Sequence, residues 1–406
     1  MVKSDINEFF EEYLSKDGIF NDKKVLQASY TPDNIPHRDN EIKEIAGMMA
    51  PALKGEKPSN LFLYGKTGTG KTLSMMHVVE KLRTIAKQKK INLRIFCLNC
   101  KLKKVADTEY RLIANLAREF GKDVPATGLA TDEIYRKFIE GIDSKIDGKN
   151  QNVILVLDEI DQLVKKAGDE ILYNLTRLNA ELKNTQITFV GISNDLRFAN
   201  DLDPRVKSSL TEEDINFPSY NALQLQDILN ERAKKAFKTN SIEQGAIEKC
   251  AALAAREHGD ARRALDLLRV AGELSERKGS NKLLIKHIDE AEEKIERDLI
   301  SDVVSTLPKQ SQLVLLAAFN LYGKNNTKIF TGDVYDLYKN LSSNVGLKPL
   351  TQRRMSDLIA ELDMLGIINA KVISKGRYGR TREISMAIPD TEIPDLLGAL
   401  KKWLNL

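Results

Sequence analysis

The stretch Gly65–Thr72, Gly-Lys-Thr-Gly-Thr-Gly-Lys-Thr, narrows most what this chain can fold into. It fits G-x-x-x-x-G-K-[ST], a loop that wraps a polyphosphate. The glycines, with Lys66, Thr67 and Thr69 between them, let backbone N–H groups turn inward. The helix that follows aims its positive end at the same anion. Lys71 has the reach for β- and γ-phosphates, and Thr72 offers a hydroxyl to magnesium. The flanks agree with the motif. Asn60–Tyr64 reads as a short buried strand, and Leu73, Met76, Val79 and Leu82 recur at helical spacing, so the loop joins strand to helix.

A nucleotide loop needs a parallel sheet around it, and the rest of the chain supplies one. Val153–Leu157 is an unbroken apolar run suited to a strand buried on both faces. It ends in Asp158-Glu159, at the edge where ligands bind in such sheets. Asp158 is placed to help hold magnesium and Glu159 to activate water as a general base. Thr185–Ile192 is the next strand, and Asn194 just beyond it faces either the γ-phosphate or the attacking water, or caps a turn. Arg205 follows Asp203-Pro204, a fixed turn that suits an arginine acting on a neighbouring subunit's ATP; a surface salt bridge is the alternative. Upstream, the proline-fixed approach Ile35-Pro36-His37-Arg38 opens a helix with Asp39 or Asn40 available to cap it, and it either walls a base pocket or is an ordinary helix start. Lys101–Ser144 is helical and longer than one crossover needs, with a turn-rich break at Gly121–Gly128, so an insertion is expected there.

From Ser219 to about Glu296 the pattern is helical. Gly259-Asp-Ala-Arg262 opens one helix with cations in its first turn. That placement is electrostatically unfavourable unless Arg262 faces an anion. From Leu299 the character changes to three helical segments, Gln310–Leu321, Phe330–Leu341 and Thr351–Leu365, then a hairpin. In the third helix Met355, Leu358, Ile359 and Leu362 form the core face, leaving Gln352, Arg353 and Ser356 free. Lys371–Arg382 carries five basic residues and no acid. Lys375, Arg377, Arg380 and Arg382 make a tip suited to a DNA backbone or minor groove, with a solvated hairpin as the alternative.

Composition sets the limits. At 406 residues and 42% hydrophobic content the chain holds two or three domains, and no run approaches a membrane span. A formal charge of +4 makes any nucleic-acid surface local. Three cysteines argue against a disulfide framework, and Cys97-x-x-Cys100 lies in an apolar strand-like run, where core packing is favoured over a redox or metal role. Met1–Glu12 carries acids and lacks a secretion pattern, so a cytoplasmic, chromosome-associated protein without a membrane partner is expected.

Taken together, these residues resemble the AAA+ replication initiators of the archaeal origin-recognition and cell-division-control family, over nearly the whole chain. The marks are the phosphate loop, the Asp158-Glu159 pair, Asn194 in the first-sensor position, Gly259-Asp-Ala-Arg262 in the second, and the helix-plus-basic-wing pattern. The resemblance implies an α/β fold: an AAA+ P-loop NTPase base with parallel sheet over 1–216, a helical insertion near 101–140 that contacts origin DNA in this family, an α-helical lid over 217–298 and a winged helix over 299–406. It implies that His37 and Arg38 border the adenine and that Tyr220 and Arg232 close on the nucleotide from the lid. It implies ATP/ADP and Mg2+ as cofactors and a slow ATPase. The expected partners are double-stranded origin DNA, paralogous initiator subunits and the replicative helicase. A nucleotide-switched DNA-binding regulator without helicase loading is the competing reading, and a clamp-loader-like motor is disfavoured by the basic wing.

Overall fold

The computed structural model describes residues 18–101, 108–125, 128–143, 150–210, 212–325, 329–374 and 380–406. They form two compact units, 1–288 and 289–406.

The first unit is built on five strands: β1 (Leu61–Tyr64), β2 (Leu93–Asn99), β3 (Gln151–Asp158), β4 (Thr185–Ser193) and β5 (Glu213–Asn216). All pair in parallel, in the order β2-β3-β4-β1-β5. Successive side chains of a strand serve opposite faces. On β3, Ile154 and Val156 join Leu61, Leu63, Val190 and Ile192 in one core, under helices α1 (Asp39–Met49) and α2 (Lys71–Lys89). Val153, Leu155 and Leu157 join Phe62, Ile187 and Phe189 in the other. That face is covered by α3 (Glu109–Glu119), α4 (Thr131–Ile142), α5 (Ile160–Ala167), α6 (Glu170–Arg177), α7 (Phe198–Asp201) and α8 (Pro204–Leu210). Helices on both faces explain why the strands read as unbroken apolar runs. The register sets Asn99 beside Asp158 and Tyr64 beside Ser193, so the carboxyl ends of β1, β3 and β4 form one ledge.

The long helical connection after β2 contains α3 and α4, packed through Leu112, Ile113, Leu116, Ile134 and Phe138. Residues 102–107, 126–127 and 144–149 of that connection lie outside the described residues. A helical subdomain completes the unit: α9 (Ala222–Ala236), α10 (Ala246–Arg256) and α11 (Ala261–Arg277). Residues 20–23 are tied to it. Phe20 stacks on Phe237 with ring centroids 4.5 Å apart, and Lys23 pairs with Glu276 at 2.6 Å. Cys97 and Cys100 are free thiols, and burial pushes Cys100 up to about 12, so it stays protonated near neutral pH.

Helix α12 (Ile285–Thr306) is continuous through residue 299, where the sequence suggested a change of character. The second unit continues with α13 (Lys309–Asn325), α14 (Thr331–Asn344) and α15 (Gln352–Met364). Its antiparallel sheet has the order β6-β8-β7, from β6 (Ile329–Phe330), β7 (Ile368–Ser374) and β8 (Arg380–Met386). Two elements were not expected from the sequence: the short β6, where Ile329 pairs with Ile384, and a terminal helix α16 (Ile393–Leu404) that buries Leu396, Leu400 and Leu404. Thr351 caps α15 as expected, accepting a bond from the Arg354 N–H at 3.4 Å. At α1 the expected cap is absent: Arg38 occupies the cap position and makes no side-chain capping bond. Among the described residues no helix is long and apolar enough to cross a membrane.

Candidate nucleotide site and winged-helix groove

In the first unit the sheet ledge, the phosphate loop and the helical subdomain enclose a cavity. Gly68–Leu73 form its floor, Asp158, Glu159 and Asn194 its sheet edge, and Tyr220, Ile228, Arg232 and Arg262 its helical side. Two glycines need their missing side chains. A Cβ on Gly68 would lie 1.7 Å from Asp260 Oδ1, and one on Gly70, at φ +93°, would lie 2.9 Å from the Tyr220 hydroxyl. The loop is thus moulded against the helical side, and the Ala261 N–H donates to the Gly68 carbonyl at 3.2 Å.

Lys71 is 4% exposed and donates to the Gly65 and Lys66 carbonyls at 2.8 and 2.7 Å. Burial, with Arg262 nearby, pulls its ammonium down to about 8. The Thr72 hydroxyl lies 3.1 and 3.2 Å from the two Asp158 oxygens. Burial raises Asp158 above the ordinary carboxylate range, against the lowering effect of the Thr72 bond. Glu159 stands in the left-handed region at φ 54°, which costs a non-glycine residue energy and is typical of functional sites. Its N–H donates to Asp158 Oδ1 at 3.0 Å, so the strained turn also fixes the neighbouring acid.

Two cations enter from the helical side. Asp260 caps α11 by accepting bonds from the Arg262 and Arg263 N–H groups, which sets Arg262 on the cavity wall. Arg232 is 8% exposed, its guanidinium 4.5 Å from the Tyr30 ring, and its Nη1 has no hydrogen-bond partner among the described residues. A buried guanidinium nitrogen left unpaired is costly, and an acceptor placed in the cavity relieves it. Hard oxygens at Thr72 and Asp158 are the donors Mg2+ takes. Glycine-lined amides, an unpaired guanidinium and this oxygen pair fit a nucleotide with its metal.

The structure places the remaining predicted residues differently. Gly65, Lys66 and Thr67 precede the cavity floor and do not line it. His37 and Arg38 do not line it either; Ile35 and Pro36 of the same stretch do. His37 Nε2 meets Asp227 Oδ2 at 2.9 Å, and the Arg38 guanidinium is taken up by protein groups. Arg205 is 69% exposed and held by Asp203 through bonds of 3.0 Å to each carboxylate oxygen, over the Tyr173 ring. Those bonds pull Asp203 down to about 2.

In the second unit Gln352, Arg353 and Ser356 of α15 share one groove with Arg382 of β8, together with Thr331, Val372 and Thr381. The Arg382 N–H donates to the Thr331 hydroxyl at 3.2 Å, which fixes the strand against the start of α14. Lys375 and Arg377 lie outside the described residues. Arg380 opens β8 opposite Ser374, and its side chain lies outside the described residues.

Residues 54–198 match the family model described as an AAA domain, 226–293 the Cdc6 AAA+ ATPase-type lid domain, and 302–395 the CDC6 C-terminal winged helix domain. An ORC1-type DNA replication protein of Pyrococcus furiosus is 51% identical over 396 residues, covering 97% of this chain and 93% of its own length. The chain belongs to the ORC1-type DNA replication protein family. Its relative in Archaeoglobus fulgidus, ORC1-type DNA replication protein 1, is 50% identical over 98% of both chains. The solved ORC1 protein of Aeropyrum pernix, in complex with DNA, is 43% identical with a TM-score of 0.79 over 95% of this chain and 98% of its own. The AAA+ base, the lid and the winged helix expected of an ORC1-type chain are all present.

Some site residues escaped the sequence reading. Tyr30, Pro32 and Asn34 wall the cavity from a lead-in with no periodic signal. Asp161 and Ser193, both buried, bond at 3.2 Å, and the Ser193 hydroxyl also accepts from the Asp195 N–H at 3.0 Å. They shape the turn that carries Asn194. The fourth position of Asp158-Glu-Ile-Asp161 was the available signal.

Proposed function

We propose that the chain is an ATP-dependent replication initiator that binds origin duplex DNA and helps recruit or load the replicative helicase. The observation that carries the nucleotide half is the unpaired Arg232 Nη1 in a cavity floored by Gly68–Thr72. The groove of Gln352, Arg353, Ser356 and Arg382 supports the DNA half, as does the DNA complex of the Aeropyrum pernix relative.

In this reading Lys71 exchanges its bonds to loop carbonyls for the β- and γ-phosphates of ATP, a charge-assisted contact. Thr72 and Asp158 hold Mg2+, which when bound neutralises charge on the phosphates. Glu159 accepts the proton of the attacking water, and Asn194 orients that water. Arg262 faces the γ-phosphate in cis. Arg205 acts in trans on a paralogous subunit, leaving Asp203 as it does so. Tyr220 and Arg232 close on the nucleotide from the lid, and ADP is the product held afterwards. Gln352, Arg353 and Ser356 approach base edges, whereas Arg382, with Lys375, Arg377 and Arg380, neutralises phosphates. The helical insertion near 101–140 supplies a second DNA contact.

The test is a footprint of the protein, stripped of nucleotide, on replication-origin duplex with and without ATP. Protection of a discrete site that strengthens with ATP is expected. Equal affinity for origin and random duplex, with or without ATP, would remove the initiator reading.

A further inference from the structure

Arg38 is 2% exposed, among the most deeply buried side chains of the chain. A guanidinium stays charged in proteins, so burying one is costly unless its donors are all engaged. Here all three nitrogens are engaged, and their targets lie far apart in sequence. Nε donates to the Thr69 carbonyl at 2.8 Å. Nη2 donates to the Pro218 carbonyl. Nη1 donates to Glu41 Oε1 at 2.8 Å and, more weakly, to the His37 carbonyl at 3.4 Å. The guanidinium carbon sits 4.0 Å from the centre of the Tyr220 ring. Four of the five guanidinium N–H donors are thus taken up by protein groups, and the side chain does not line the cavity.

Each target has a consequence for the cavity. The Thr69 carbonyl and the Gly70 N–H belong to one planar trans peptide and point in opposite directions. Pinning that carbonyl toward Arg38 therefore turns the Gly70 N–H the other way, as a phosphate-wrapping loop requires. Pro218 and Tyr220 belong to the segment that leaves β5 and enters α9. Tyr220 packs against Gly259, where a Cβ would lie 2.2 Å from the Tyr220 carbonyl oxygen. Gly259 in turn precedes the Asp260 cap that sets Arg262. His37, next to Arg38, bonds Asp227 on α9. One short stretch thus fixes the phosphate loop to the hinge of the lid.

We infer that Arg38 is a positioning residue rather than a nucleotide ligand: it aims the loop amides and couples them to lid closure, and so sets how long nucleotide stays bound. The inference rests on the nucleotide reading of the cavity. Lysine at this position keeps the charge but replaces the planar fork, whose Nε and Nη2 hold the two carbonyls separately, by a single point donor, so it does not reproduce that geometry.

The experiment measures Arg38→Lys in the full chain. Losing one charged hydrogen bond from the loop should speed ADP release about tenfold. Amide exchange at 69–71 and 219–221 should rise in the ADP-bound protein, while the single-turnover rate of prebound ATP changes little. Glu41→Gln, which leaves the cavity wall intact, should shift ADP release in the same direction by less, and it carries the test if Arg38→Lys does not fold. ADP release and exchange at the native values in both variants would overturn the proposal. So would a slowed chemical step with unchanged residence, which would mean Arg38 touches the reacting phosphates. Lys71→Ala, run alongside, separates the two readings. If it too leaves ADP affinity unchanged, the nucleotide site itself has been misread; if it weakens ADP while the Arg38 and Glu41 variants do not, only the role of Arg38 falls.

Discussion

In the proposed reading the cavity and the winged-helix groove both take phosphate-bearing partners, yet they are built in opposite ways. In the cavity the cations are taken out of water. Lys71 and Arg232 are nearly covered, one bonded to its own loop and the other with a nitrogen left unpaired. The backbone is strained at Glu159 and moulded by glycine at positions 68 and 70. In the groove Gln352 and Arg353 are exposed and carried on a capped helix, with Arg382 on a regular strand. A buried charge acts through a low local dielectric and is little screened by salt, whereas an exposed one is worth little alone and works by number. The cavity is therefore expected to fail by single residues and the groove by increments.

The sharpest way to break that contrast is Glu159→Gln. It keeps shape and removes the base, so hydrolysis should fall by about a hundredfold or more while ATP and ADP still bind. Single-turnover hydrolysis and calorimetry on nucleotide-stripped protein check both halves. A variant that turned over ATP normally would show that the strained acid is not the base, and the cavity would lose its claim to fragility.

How far sequence alone reached follows the same division. The phosphate loop, the acids after β3 and the amphipathic α15 announce themselves within a dozen residues each, because spacing and periodicity are local properties. What stayed hidden depends on partners distant along the chain. Arg38 was read as a possible wall of the base pocket because nothing nearby reveals that its donors reach Thr69 and Pro218. Tyr30 and Asn34 come from a stretch without periodicity, and β6 exists only through its pairing with β8. The left-handed turn at Glu159 has no glycine to advertise it. The change of character at residue 299 falls inside α12, because a change of composition does not interrupt the backbone bonds of a helix.

Two substitutions in the groove probe whether its residues divide into readers and neutralisers. Arg353→Ala should cost about 1–3 kcal/mol on the preferred duplex and little on random sequence, if it reads a base edge. Arg382→Ala should weaken both duplexes similarly and flatten the salt dependence by roughly one unit of slope. Salt titrations of both variants on origin and random DNA distinguish these outcomes. Identical behaviour of the two variants would collapse the distinction, and an unchanged slope for Arg382→Ala would leave that side of the groove a solvated strand.

The smallest expected effect tests the burial argument itself. Lys71 is pulled down to about 8 by burial, below the ordinary lysine value of 10.5. Between those values the unfolded chain binds more protons than the folded one, so the contribution of Lys71 to stability rises with pH through this window and is least favourable below pH 8. Nucleotide binding should run the other way. A polyphosphate beside the amine favours its charged form, so binding takes up a proton once the free protein begins to lose it. At pH 6.5 uptake should be negligible. At pH 8.5 it should be a large fraction of one proton, with affinity down about fourfold. Calorimetry in two buffers of different ionisation enthalpy reads the proton directly, and Lys71→Ala should abolish the uptake. The groove supplies the control: its cations are guanidinium groups, a type that does not deprotonate in proteins, so DNA affinity of the same protein should not bend near pH 8. Zero proton uptake at pH 8.5 would mean that the Lys71 amine is as wet as the groove's arginines, and the difference in construction between the two sites would carry no energetic weight.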